Sequence, residues 1–195
     1  MTRWDAVVLA GGRASRLHGV DKPALRLGGR SLLDHALDAV AAAERVVVVG
    51  PQRTVTRPVS WTREEPVGSG PLAALGAGLS RLSTSEGLVA VLAADQPGVT
   101  AATVSRLRAA LSEVDGADGA LLVDAGRRQW LTGVWRIGAL RAAMPEHLAG
   151  AALRALFGGL TVVEVPADVR EGRDVDTPED LAAWRAGYPD PGSSV

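Results

Sequence analysis

The sequence predicts one α/β domain: a doubly wound, mostly parallel sheet with helices on both faces. Three observations carry that expectation. Apolar runs rich in valine and leucine alternate with helical patterns from end to end, the order that builds a parallel sheet with right-handed crossovers. The most continuous runs, VVVV at 46–49 and LVAVLA at 88–93, have no polar face and suit strands buried on both sides. Finally, 195 residues suit a single core, since domains commonly hold about 100–200 residues.

The elements follow in order. Strands are expected at 4–10 (WDAVVLA), 45–49 (RVVVV), 88–93, 120–123 (ALLV) and 160–165 (LTVVEV). The first helix opens at Ser31, where SLLD places an N-cap serine three residues before an acid, ahead of the apolar pattern LLDHALDAVAAA, close to a capping box. Further helices are expected at 71–82 and 101–111. QWLTGVWR, at 129–136, reads as a core strand around Trp130 and Trp135. The last helix has the strongest start: Thr177 to cap, Pro178 at the first helical position, then Glu179 and Asp180 in the first turn. His35 and His147 fall in helical or near-helical context and read as packing or surface residues. With no internal repeat and no composition shift, residues 1–187 form the expected domain and 188–195 a frayed Pro-, Gly- and Ser-rich tail.

Composition excludes several functions. A formal net charge of −1 is not that of a protein that coats nucleic acid. The chain contains no cysteine, so thiolate zinc sites, cysteine nucleophiles and disulfides are ruled out. The apolar run at 6–10 meets Gly11 at once, too short for a signal-peptide core or a membrane span. A cytoplasmic protein without membrane contact is expected. Lys22 is the only lysine among 21 basic residues, and in so arginine-rich a chain it calls for a reason.

In open α/β sheets ligands bind beyond the carboxyl ends of the strands, which selects the segments after Ala10, Val49 and Ala93 and the approach to the last helix. The first segment is GGRASRLHGVDK, residues 11–22. Its glycines let backbone amides approach anionic oxygen, and Arg16 and Lys22 add two cations. That combination suits a triphosphate; a glycine turn with two solvated cations is the competing reading. It is neither the G-x-G-x-x-G dinucleotide fingerprint nor a G-x-x-x-x-G-K-[ST] loop. Asp95 ends an apolar strand, where a carboxylate is costly unless solvated or bound to a cation; a turn role before Pro97 is the alternative. In Asp174-Val175-Asp176 an extended backbone puts both acids on one side, for a metal or water contact or for plain capping.

Residues 9–22 match L-A-G-G-x-x-x-R-[ML]-x-G-x-D-K over its whole length, with His18 where glycine is usual. LRLGGRSLL (25–33), EEPVGSGPLAA (64–74), AADQP (93–97) and DVDTPEDL (174–181) follow in matching order. In these segments the chain resembles the molybdenum cofactor guanylyltransferases. The resemblance implies a Rossmann-like fold of the nucleotide-diphospho-sugar transferase type. It also implies Mg²⁺-dependent transfer of GMP from GTP to molybdopterin, with release of pyrophosphate. By position, Leu9, Ala10, Gly11, Gly12, Lys22, Glu65 and Asp95 would contact the nucleotide. Arg16, Lys22 and Asp95 would serve the transfer, and Asp95 with Asp176 would hold the metal. Glu65 stands near the family's base-recognising aspartate, and Gly50 where some members place a nucleotide-contacting asparagine. Gln129 and Arg136 are candidates for the pterin side. Expected partners are the two small substrates and, transiently, cofactor-delivery or acceptor proteins, with the enzyme a monomer or small homo-oligomer. Three rival functions stand beside this one. The nearest is nucleotidyl transfer from CTP or to another phosphate acceptor, such as a sugar phosphate or phospholactate. The others are a nicotinamide-dependent dehydrogenase and a non-catalytic nucleotide-binding module.

Overall fold

A computed structural model describes residues 3–11 and 20–188. The strands are β1 (Trp4–Leu9), the short hairpin β2 (Arg26–Leu27) and β3 (Arg30–Ser31), β4 (Val46–Val49), β5 (Ser60–Thr62), β6 (Leu88–Ala93), β7 (Gly119–Asp124), β8 (Arg127–Arg136) and β9 (Val162–Pro166). The helices are α1 (Leu32–Ala39), α2 (Pro71–Ser80), α3 (Ala101–Glu113), α4 (Ile137–Ala143), α5 (Leu153–Phe157) and α6 (Pro178–Ala186). Seven strands form one sheet in the order β5-β4-β1-β6-β8-β7-β9. β1 runs parallel to β4 and β6, as does β4 to β5 and β7 to β9. β8 runs against both its neighbours, β6 and β7.

The apolar strands divide their side chains between two layers, which is why they show no polar face. Ala6 and Val8 of β1 join Leu33 and Leu37 of α1 and Leu107 and Leu111 of α3 on one side. Val7 and Leu9 join Leu72, Leu75 and Leu79 of α2, with Trp135 and Phe157, on the other. Each fully buried side chain of this kind contributes roughly 1.5–3 kcal/mol by leaving water. A third, smaller cluster of Leu27, Leu32, Val175, Leu181 and Trp184 lays α6 against the β2–β3 hairpin. It brings α6 back beside the segment that follows Lys22.

Both caps read from the sequence are present. The Ser31 hydroxyl accepts from the Asp34 amide at 3.0 Å. Thr177 and Asp180 close a reciprocal box, with Asp180 N donating to Thr177 Oγ1 at 3.1 Å and Thr177 N to Asp180 Oδ2 at 2.8 Å. α1 ends earlier than its apolar pattern, because Arg57 Nη1 donates to the carbonyls of Val40 and Leu37 at 3.1 and 3.4 Å and satisfies its last turn. β5, the β2–β3 hairpin, α4 and α5 have no counterpart in the sequence reading. Tyr188, expected in the tail, packs edge-on to His35 with ring centroids 5.7 Å apart, so the packed chain runs through it. Among the described residues no helix is long and apolar enough to cross a membrane.

Candidate active site

The carboxyl ends of β1, β4 and β6 meet in one place. Ala94 N donates to Leu9 O at 3.0 Å and Ala10 N to Val49 O at 2.8 Å. The side chains of Leu9 and Ala10 lie in the core, so toward a ligand these two positions offer backbone only. Gly50 closes the approach from β4. It has φ +151°, and a Cβ there would stand 2.6 Å from Ala10 O, so this backbone has no room for an asparagine side chain. Gly11, directly after Ala10, is exposed. Gly12, Arg16 and His18 lie outside the described residues.

The lone lysine joins two distant acids here. Lys22 Nζ donates to Asp95 Oδ2 at 2.7 Å and to Asp176 Oδ1 at 2.6 Å. Each partner is placed by its own element. Lys22 opens a 3₁₀ turn anchored by buried Pro23, and Asp95 follows the last residues of β6. Asp176 is held from both sides, by α6 starting at Pro178 and by Val175. The Val175 side chain is buried in the third cluster, and its amide donates to Asp95 O at 2.9 Å. Lys22 is only 15% exposed along its side chain. Burial alone would lower its pKa, but the charges of Asp95 and Asp176 overcome that and raise it. Asp174, on the same segment, has its pKa raised by burial and then by the neighbouring charges of Asp176 and Asp95. Two carboxylates share one ammonium.

This donor set fits a hard divalent cation. Two carboxylate oxygens from different elements converge on one cationic atom, and magnesium is held by one or two carboxylates completed by phosphate oxygens and water.

Comparison with known proteins then decides the family. The model of the MobA-like NTP transferase domain matches residues 6–165. The chain belongs to that family. A molybdenum cofactor guanylyltransferase of Acidiphilium cryptum is 34% identical over 70% of this chain and 69% of its own length. A probable molybdenum cofactor guanylyltransferase of Opitutus terrae is 40% identical, over 56% of each chain, so the match spans little more than half of that relative. The solved structure of molybdopterin-guanine dinucleotide biosynthesis protein A from Archaeoglobus fulgidus superposes with a TM-score of 0.71. It is 20% identical and covers 93% of this chain and 97% of its own, a likeness of fold.

Within this MobA-like chain, the other nominated residues separate. The antiparallel course of β8 divides the two pterin-side candidates. Leu92 pairs with Thr132 and Leu88 with Arg136, so Gln129 lies toward the carboxyl end of β6 while Arg136 lies at the opposite end of the sheet. Gln129 Oε1 accepts from Gln96 Nε2 at 3.4 Å, and buried Gln96 in turn accepts from Thr132 Oγ1. Arg136 caps Ala117 O at 2.8 Å and borders a cavity of about 590 Å³ with Ser85, Glu86 and Asp118, away from Lys22. Glu65 is exposed, while its neighbour Glu64 is buried and accepts from Gly68 N at 2.9 Å. Both border a cavity of about 930 Å³ formed with α2 and residues 144–149, which shares no lining residue with the Lys22 cluster. Arg53 is the residue that sequence reasoning missed. It lies just past Gly50, and its guanidinium reaches both Asp21 and the Ala10 carbonyl.

Proposed function

We propose that this protein transfers a GMP unit from GTP to the terminal phosphate of molybdopterin, releasing pyrophosphate, and that it acts in the cytoplasm. One observation carries the reading: Lys22 Nζ stands between Asp95 and Asp176, beside the carboxyl ends of β1 and β6. The nucleophile is already an anionic phosphate oxygen, so the protein need not supply a base. Its task is to bring two anions together and to neutralise charge as the α-phosphorus is attacked in line. Asp95 and Asp176 would hold Mg²⁺, which when bound supplies charge neutralisation on the nucleotide phosphates. Gly11, exposed after β1, and Gly12 would meet phosphate through their backbone amides. Lys22 would exchange carboxylate partners for phosphate oxygens, and Arg16 would add a second cationic charge. Leu9 and Ala10, whose side chains are buried, would meet the nucleotide through their backbone. Glu65 is the proposed base-edge contact.

The test is to incubate the protein with each nucleoside triphosphate, Mg²⁺ and molybdopterin and to follow pyrophosphate. GTP should outperform CTP and ATP, because Gly11 stands where cytidylyl relatives usually have alanine. Turnover of CTP at least as efficient as GTP would overturn the guanine preference. Nucleotide binding without any pyrophosphate would select the binding-module reading instead.

A further inference from the structure

Asp21 breaks a local rule. Aspartate is among the preferred N-cap residues, and Asp21 occupies the N-cap of the Lys22–Ala24 turn, yet its side chain makes no capping bond. Its carboxylate is turned to Arg53 instead. Arg53 Nε and Nη2 donate to the two Asp21 oxygens at 2.7 and 2.5 Å. The remaining nitrogen, Nη1, donates to Ala10 O at 3.0 Å and Pro51 O at 2.9 Å. An exposed ion pair of this kind would contribute little, but the Arg53 side chain is only 12% exposed and makes four directed contacts. Ala10 and Asp21 are the residues on either side of 11–20, the glycine segment that precedes Lys22. One guanidinium therefore ties the point where the chain leaves β1 to the residue next to the lysine.

We propose that Arg53 is a positioning residue for Lys22: by clasping Ala10 and Asp21 it holds both ends of the 11–20 segment together and sets the stance of the ammonium between Asp95 and Asp176. Its part in catalysis rests on the nucleotidyl-transfer reading above; its effect on Lys22 does not. A planar fork is needed, since it must bracket two carboxylate oxygens and still reach two carbonyls. A lysine ammonium, a single point of charge, cannot do both.

The chain's composition supplies the probe. Lys22 is the only lysine, so protein grown with ¹⁵Nζ-lysine carries one labelled ε-ammonium. Its NMR resonance should report the paired state in the wild type and move toward that of an exposed lysine in Arg53→Met and Asp21→Asn. Asp95→Asn serves as the control that shows the resonance senses the pair. In parallel, Arg53→Met should lower kcat/KM by about 10-fold or more, roughly 1.4 kcal/mol, with Tm shifted by only a few degrees. On a Lys22→Ala background the same change should have almost no further effect, because both substitutions then act through one group. Resonances in Arg53→Met and Asp21→Asn that coincide with the wild type would overturn the proposal, as would additive losses in the cycle. If the wild-type protein releases no pyrophosphate from any nucleotide, the transfer reading falls, and the resonance alone decides the role of Arg53.

Discussion

At the scale of single residues, the site turns on which cation each acid faces. Lys22 and Asp95 were legible in the sequence because each stands out from its own background, a lone lysine among arginines and an acid directly after a buried strand. Arg53 was not, since it is one arginine of many and lies 32 residues from the carboxylate it binds. Lys22→Arg keeps the charge but replaces a compact ammonium with a wide fork, which must fit a gap that seats Nζ within 2.7 Å of both carboxylates. We expect kcat/KM to fall by about 10-fold or more, with Lys22→Ala worse and Tm nearly constant; steady-state kinetics and melting curves of the three proteins check this. Asp95→Asn should retain the fold and lose most magnesium-dependent turnover, and wild-type activity across a magnesium titration would exclude the metal role. Asp174 carries a pH signature. Its folded pKa is raised above the ordinary 3.8, so ionising it opposes folding at neutral pH and the penalty disappears in acid, where both states are protonated. Asp174→Asn should therefore raise Tm at pH 7, with the gain shrinking as the pH falls toward that ordinary value.

At the scale of elements, legibility followed local chemistry. The helix starts at Ser31 and Thr177 could be read because capping is a bond between near neighbours, and the buried strands because their composition excludes a wet face. β5 is three residues long with no fully buried side chain, and α4 follows β8 directly with no side-chain cap, so neither leaves a local mark. The reversed course of β8 is set by pairing with distant strands. The segment after β9 is likewise fastened by a contact invisible in sequence. Buried Glu171 accepts from Arg106 Nη2 at 2.5 Å, from Asp168 N at 2.8 Å and from the Thr103 hydroxyl, clipping residues 168–171 to α3. Burial would raise the Glu171 pKa, but Arg106 and Thr103 outweigh it and hold it down. A depressed carboxylate stabilises the fold above its unfolded pKa, ordinarily 4.5, and that contribution is lost as the pH falls through the folded value. Glu171→Gln should cost about 2 kcal/mol at pH 7, the scale of hydrogen bonds to charged groups. The deficit should narrow in acid, and urea melts at both pH values measure it.

At the scale of the whole molecule, the site is assembled from parts far apart along the chain: Lys22 lies 73 residues from Asp95 and 154 from Asp176. The three do not share one anchorage. Asp95 follows a strand of the large two-faced sheet and Lys22 opens a turn packed against α1, whereas Asp176 depends on α6 and on a cluster of five buried residues, Leu27, Leu32, Val175, Leu181 and Trp184. α6 has nine residues, too few to be stable as an isolated helix, so its hold on the domain rests on that cluster together with the backbone bond from Val175 to Asp95. Regions with fewer buried contacts open at lower free energy than the core to which they attach. We therefore expect α6 to detach before the sheet melts, taking Asp176 from Lys22 and ending nucleotide transfer while most of the fold persists. In a urea titration, activity should disappear at a lower concentration than the far-UV dichroism of the sheet, and hydrogen exchange should be faster in α6 than in β1. Leu181→Ala should widen the gap, since losing a buried leucine costs about 2–5 kcal/mol and falls here on the weaker unit. Val91→Ala, at the centre of β6, should instead move both transitions together. Coincident loss of activity and dichroism in the wild type and in Leu181→Ala would mean that α6 and the sheet unfold as one cooperative unit, with the third cluster bound to the main core more tightly than its size implies.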